Sequence, residues 1–252
     1  MIEVLGKSVC GPARSNNEDF YDYRFVGDVL VMAVADGLGG CPYGEIASRI
    51  AVTSVIDSIS EGLATVESDA DMKFMLKRAF NVANVDILRD QVTDPDHSGM
   101  CSTLTVAVIQ NGHLTVAHYG DCRCYVISGS DINLITEDHN VANHLIKELG
   151  MSPEDARVQA GKSQLVCCLG ENKFIKPDIY GYDIIDDDCV VLASDGMYTL
   201  FDEDTCLEIL RRRNDLGDLC DYLVARGASD DSIDNSTVVI SKIIPDKTGD
   251  TL

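Results

Sequence analysis

Three apolar stretches of this 252-residue chain stop at an aspartate with a glycine beside it. They are Ala33-Val34-Ala35-Asp36-Gly37, Ala117-His118-Tyr119-Gly120-Asp121 and Val190-Val191-Leu192-Ala193-Ser194-Asp195-Gly196. A strand that ends on a carboxylate fixes that carboxylate at the rim of a sheet, and the glycine lets backbone or ligand approach closely. One Asp-Gly is ordinarily a turn. Three at the ends of different strands, gathered at one rim, would repel each other unless divalent cations neutralised them. Hard oxygen donors of this kind suit Mg2+ or Mn2+. The run Asp36-Gly37-Leu38-Gly39-Gly40 matches neither the dinucleotide fingerprint nor the P-loop pattern. Its leading carboxylate would also repel a phosphate that no metal accompanies, so the loop is read as metal-binding.

The elements that must hold these carboxylates are legible as apolar patterns. Residues 29–35 form a short, continuous apolar run rich in β-branched side chains, which predicts a strand covered on both faces. Residues 103–109, 114–118, 190–193 and 237–243 read as further strands. Between the first two strands lie two helix candidates, 44–63 and 69–90. The first carries Ile46, Ile50, Ile56, Ile59 and Leu63 at helical spacing, the second Met72, Met75, Leu76, Ala79, Ala83 and Ile87. Ser68 supplies a start signal for the second. Antiparallel strand pairs interrupted by two consecutive helices predict an α+β fold of packed sheets flanked by helices, rather than a βαβ wheel.

Composition narrows the function classes. The chain can bury a sizeable core as one domain, and no linker or internal repeat divides it. No apolar run approaches the roughly 18–20 residues of a membrane span. Residues 1–7 lack the basic-then-apolar pattern of a signal peptide, so a cytoplasmic protein is expected. The formal net charge is −22, from 20 Lys and Arg against 42 Asp and Glu. Such a chain should repel nucleic acid and anionic membranes, although cations in a site can locally reverse the field. The ten cysteines include no CxxC pair, so zinc-ribbon and thioredoxin-type readings have no foothold. In a reducing compartment they are expected to be mostly small buried hydrophobes, with Cys101, Cys124 and Cys189 inside strand-like runs.

Set in order, Arg14-Ser15-Asn16-Asn17-Glu18-Asp19, Asp36-Gly37-Leu38-Gly39-Gly40, Gly120-Asp121-Cys122-Arg123, Ser194-Asp195-Gly196 and Asp234-Asn235-Ser236-Thr237 form a five-part pattern. It resembles the metal-dependent protein phosphatases of type 2C, in their compact bacterial form, over about residues 3–244. Each motif alone is weak, whereas five in the family's order are specific. The resemblance implies an αββα sandwich of two packed, mainly antiparallel sheets flanked by helices. It implies one catalytic domain over 1–252, with a flap over 140–169 and a frayed tail over 246–252. The implied activity is hydrolysis of phosphoserine and phosphothreonine in proteins by a metal-activated water, without a covalent phosphoenzyme. The implied cofactors are two Mn2+ or Mg2+ ions held by Asp19, Asp36, Asp195, Asp234 and the carbonyl of Gly37. Glu18 would accept hydrogen bonds from metal-bound water, and Arg14 would bind the substrate phosphate. The bland alternative for Arg14 is a salt bridge with a neighbouring acid. Phosphorylated proteins and a Ser/Thr kinase acting on them are the implied partners of a monomer.

The chain also departs from the family. Leu38 stands where many eukaryotic relatives carry a His proposed as general acid. Asp121 matches a position that helps bind a third metal in bacterial members, while Thr199 replaces a further Asp often found there, which argues against tight third-metal binding. Cys168 stands where an Arg commonly precedes Leu-Gly. Rival classes fare worse. C-x5-R occurs twice, at Cys206 to Arg212 and Cys220 to Arg226, but both intervening stretches lack glycine and read as helix. Helix interiors have no spare N–H groups to cradle a phosphate. A pseudophosphatase would be expected to lose one or more of the four aspartates, and the charge opposes a nuclease.

Overall fold

The computed structural model describes residues 1–39, 41–160, 164–229 and 234–245. Gly40 of the glycine-rich loop, residues 161–163 of the flap and the tail over 246–252 lie outside the described residues.

Two five-stranded sheets pack face to face. One orders its strands β1 (Ile2–Val9), β10 (Ser236–Ile243), β9 (Cys189–Ala193), β6 (Arg123–Ser128) and β7 (Asp131–Leu134). The other orders β2 (Asp19–Val26), β3 (Val29–Asp36), β4 (Leu104–Gln110), β5 (His113–Tyr119) and β8 (Asp178–Asp183). Every pairing is antiparallel. Helices α1 (Gly44–Gly62) and α2 (Asp69–Thr93) cover the second sheet, and α5 (Asp195–Tyr198), α6 (Glu203–Arg212) and α7 (Leu216–Gly227) cover the first. This is the αββα sandwich expected.

Two apolar layers place the end of β3. Between the sheets sit Leu30, Met32, Val34, Val116, Val126, Leu192 and Val239. Strand β3 sends Val31, Ala33 and Ala35 the other way, against α1 and α2. Because both faces of β3 are buried, it reads as an unbroken apolar run instead of an alternating one. At about 1.5–3 kcal/mol per buried aliphatic side chain, this central strand anchors the end that carries Asp36.

Helix α2 buries the stripe expected, with Phe80 added. Ser68 caps it by accepting the Asp71 N–H at 3.2 Å. In α1 the stripe is rotated. Ala47, Ser48, Ala51, Val52 and Val55 are buried beside Ile56 and Ile59, while Ile46, Ile50 and Leu63 are only partly buried. Small residues let α1 lie close on the sheet, and a pattern weighted to large side chains misses them. The flap contains α3 (Val141–Leu149), ended by Gly150 at φ 63, and α4 (Pro153–Ala160). Val141 N–H bonds to Gln164 O at 2.8 Å and Val166 N–H to His139 O at 2.9 Å, so the two ends of the flap are tied together.

Both C-x5-R stretches lie within α6 and α7, which removes the cysteine-phosphatase reading. The cysteine expectation needs correction. Cys122, Cys124, Cys168, Cys189 and Cys220 are buried, but Cys10 is exposed and Cys41, Cys101, Cys167 and Cys206 are half-buried. Cys101 precedes β4 and is outside any strand. Apolar neighbours in sequence did not imply burial there, because 100–103 is a connecting segment.

Candidate active site

The register of β2 on β3 sets Asp19 directly opposite Asp36. Asp19 begins its strand and Asp36 ends the other, so both stand at the same edge. From the facing sheet, Asp195 starts α5 just after β9, and Asp234 lies two residues before β10. The two sheets are joined at this point by Ser194. Its Oγ donates to Asp19 Oδ2 at 2.7 Å and accepts the Thr237 N–H at 3.0 Å. The rim is therefore a seam between the sheets, with a carboxylate pair from each.

Close backbone approach explains the glycines. A Cβ on Gly196 would stand 2.1 Å from the Asn235 carbonyl oxygen, and one on Gly37 would stand 2.3 Å from that of Gly44. Neither position has room for a side chain. Gly37 N–H donates to Glu18 O at 3.1 Å, and Ser48 Oγ donates to the same carbonyl at 2.6 Å. The end of β3 is clamped further by Ser102 and Thr103. Ser102 Oγ and Thr103 N–H both donate to Asp36 O, at 3.0 and 2.9 Å, and Asp36 N–H donates to Thr103 Oγ1 at 2.8 Å.

The carboxylates feel one another. Asp19 is only 6% exposed, and burial first, then Asp195 and Asp234, push its pKa to about 7 despite bonds from Thr237 and Ser194. Asp36 is pushed well above the carboxylate range by burial and by Asp19, Asp195, Asp121 and Asp234. Asp195 is raised by burial and Asp234, and lowered in part by a hydrogen bond with Asp36. Asp121 is raised to about 8, first by burial and then by Asp195 and Asp138. The five aspartates singled out from the sequence thus form one electrostatic group.

Their partners are informative. Arg14 Nη2 reaches Asp234 Oδ2 at 2.5 Å, and its Nη1 lies 3.9 Å from Glu18 Oε2. This is the neighbouring-acid pairing weighed above for Arg14, and it holds the guanidinium at the rim. Glu18 is raised by burial and drawn back by Arg14. Asp19 Oδ1 and Asp195 Oδ1 are buried without a hydrogen-bond partner, a costly arrangement for oxygen acceptors unless a cation satisfies them. Among the described residues no group of three or more His, Cys, Asp or Glu side chains stands ready to hold an ion. The fit to a divalent metal therefore lies in donor chemistry, charge and orphaned oxygens, with Arg14 and the Asp36–Asp195 contact occupying carboxylate valences.

Other site residues were not singled out from the sequence. Besides Ser194, Ser102 and Thr103, Arg123 makes a two-pronged bond to Asp138, at 2.9 and 2.8 Å, and stacks over Tyr198 at 3.9 Å. That pair flanks Asp121. Arg123 lies in the Gly-Asp-Cys-Arg motif, but nothing in the pattern pointed to Asp138. Leu38 is half-buried, its N–H bonded to Cys101 O at 3.0 Å, and Thr199 is exposed at the end of α5.

A sandwich of this topology with a carboxylate seam defines a class that the comparisons identify. Residues 12–223 match the family model for Protein phosphatase 2C, and the chain belongs to that family of serine/threonine protein phosphatases. The serine/threonine phosphatase stp of Listeria monocytogenes is 28% identical over 210 residues, 83% of each chain. The structure of the S. agalactiae serine/threonine phosphatase superposes with a TM-score of 0.86 at 25% identity, over 96% of this chain and 100% of that one. The catalytic domain of the serine/threonine protein phosphatase PstP, solved in complex with two manganese ions, gives a TM-score of 0.76 at 27% identity, over 97% and 99%. Among the described residues no helix is long and apolar enough to cross a membrane.

Proposed function

We propose that this chain hydrolyses phosphoserine and phosphothreonine in proteins at the seam between its sheets, using two Mn2+ or Mg2+ ions and no covalent phosphoenzyme. The observation that carries this reading is the set of facing aspartates whose buried oxygens, Asp19 Oδ1 and Asp195 Oδ1, lack protein partners. Asp19, Asp36, Asp195, Asp234 and the Gly37 carbonyl would hold the ions, and Asp121 stands where a third, weaker one would bind. When bound, such ions supply a nucleophilic water at neutral pH and offset the charge of the phosphate during in-line displacement.

The protein's own groups do the rest. Ser194 and Thr103 hold the Asp19 and Asp36 strand ends rigid, which keeps the oxygens in place without reorganisation. Glu18 accepts hydrogen bonds from water at the rim. Arg14 exchanges Asp234 for the phosphate of the substrate, where its fork matches two oxygens at once. The alcohol of the Ser or Thr side chain leaves with a proton that Leu38 has no means to donate, so the proton comes from solvent at the site. The products are the hydroxyl side chain and inorganic phosphate. We place the reaction in a single catalytic domain with its core over about 3–244 and the flap over 140–169 beside the site. A monomeric, cytoplasmic enzyme that opposes a Ser/Thr kinase suits the charge and composition.

The test is a rapid acid quench during turnover of a 32P-labelled phosphothreonine protein. Label should appear as inorganic phosphate, dependent on added Mn2+, with none on the enzyme. Acid-stable label on the enzyme would overturn the direct-displacement reading.

A further inference from the structure

Gly120, the residue before Asp121, is gripped by a single residue from beyond β7. Gly120 N–H donates to His139 Nδ1 at 3.1 Å, and Gly120 O accepts the His139 N–H at 2.7 Å. Both backbone polar groups of Gly120 therefore go to His139. Gly120 is buried, so no solvent stands by to replace either bond. Its φ is +133°, and a Cβ there would lie 2.5 Å from Cβ of Thr103, the residue that clamps Asp36. The turn into Asp121, itself only 4% exposed, is thus packed on Thr103 and tied to His139.

The His139 ring is held in one pose. Because Nδ1 accepts from Gly120, the proton of the neutral imidazole sits on Nε2, which donates to Asp178 Oδ2 on β8 at 3.1 Å. The ring centroid lies 4.7 Å from that of the buried His118 and 5.8 Å from that of Tyr119, edge-on. The preceding residue, Asp138, takes the two-pronged bond of Arg123. Asp138 and His139 so hold the chain on both sides of Asp121. His139 O also accepts the Val166 N–H, which joins this grip to the closing end of the flap.

We propose that His139 is a positioning residue: by holding Gly120 it sets where the Asp121 carboxylate stands among the aspartates of the seam. His139 acts through Gly120 and on no reacting atom. The inference rests on the proposed reaction for the part Asp121 plays there. Without an acceptor at Nδ1, a buried N–H is left unpaired, and the turn must shift to satisfy it. A shift of that kind displaces the carboxylate, and functional constellations tolerate only about 0.5 Å.

Two substitutions separate this role from simple filling of space. His139→Asn places an amide oxygen where Nδ1 stands and can still accept from Gly120. His139→Gln places its amide near Nε2, reaches Asp178 instead, and replaces more of the ring's volume. Amide hydrogen exchange of the full chain in chelator reads the Gly120 bond. Protection at Gly120 should persist in His139→Asn and be lost in His139→Gln. With Mn2+ and a phosphothreonine peptide, kcat should fall by about tenfold or more in His139→Gln, KM should stay within about twofold, and His139→Asn should recover most of the loss. The opposite order, with protection and kcat kept in His139→Gln and lost in His139→Asn, would overturn the proposal in favour of ring volume or the Asp178 bond. Wild-type kcat in both variants would overturn it too. The exchange measurement needs neither metal nor turnover, so failure of this inference is distinguishable from failure of the proposed reaction.

Discussion

Replacing Asp19 by Asn in the metal-free protein should change how stability depends on pH. Asp19 is nearly fully buried, and its pKa in the fold is about 7 against an ordinary 3.8. The folded protein thus binds this proton more tightly than the unfolded chain does. The stabilisation from protonated Asp19 is complete below about pH 4 and is lost as pH rises through 7. At ~1.4 kcal/mol per pKa unit, the loss between pH 5 and pH 8 is about 2–3 kcal/mol from Asp19 alone. Asp121, raised to about 8, adds in the same direction. Urea denaturation in a chelator at pH 5, 6, 7 and 8 reads these values directly. The Asn variant lacks the titration, so its stability relative to wild type should rise by about 2–3 kcal/mol across that range. General self-repulsion of a chain of charge −22 affects both proteins alike and cancels in the difference. Excess Mn2+ should reverse the order at pH 8, since the wild type gains a ligand charge that the variant lacks. A difference between the two proteins that stays constant from pH 5 to 8 would refute the reasoning.

Asp36→Asn or Asp195→Asn should nearly abolish turnover while the far-UV circular dichroism stays unchanged, and turnover within threefold of wild type in both would sink the two-metal assignment. Arg14→Ala should cost about 1.5–3 kcal/mol of phosphate binding, a roughly 10- to 150-fold loss in kcat/KM. An unchanged kcat/KM would leave Arg14 as a partner of Asp234 and nothing more. With Leu38 in place of an acid, the pH–rate profile should lack an imidazole-like limb near pH 6–7, and its main limb should move when Mn2+ replaces Mg2+. A limb indifferent to the metal contradicts this. Moderate salt should raise kcat/KM for an acidic phosphopeptide relative to a basic one, because screening acts over about 10 Å at 0.1 M. Equal responses would show that charge around the cleft is locally balanced.

What the sequence discloses depends on which residues share a local signal. Strand β3 and helix α2 are legible because each buries a continuous or strictly periodic apolar set. Strands β1, β2, β7 and β8 went unread, since Lys7, Asp22, Arg24, Asp131 and Asp183 break their apolar content at half-covered edges. The aspartates were visible at strand ends and in family motifs, yet their meeting depends on the Asp19–Asp36 register and on Ser194 crossing between sheets. Long-range contacts of that kind leave no mark at short spacing. Ser102 and Thr103 were passed over for the same reason, because what they clamp is 66 and 67 residues away. Cys168 could be noted only as a departure from the family. The structure buries it next to Leu169, which pairs with Ser102 in an isolated bridge.

Release of inorganic phosphate from a phosphothreonine peptide, measured as Mn2+ is titrated into chelated protein, tests the carboxylate seam most directly. Turnover should be absent in chelator, rise with Mn2+ and fall again when chelator is restored, and Asp36→Asn should show no such rise. Undiminished phosphate release in excess chelator, or the same Mn2+ response from Asp36→Asn, would contradict a metal-dependent reaction at this site.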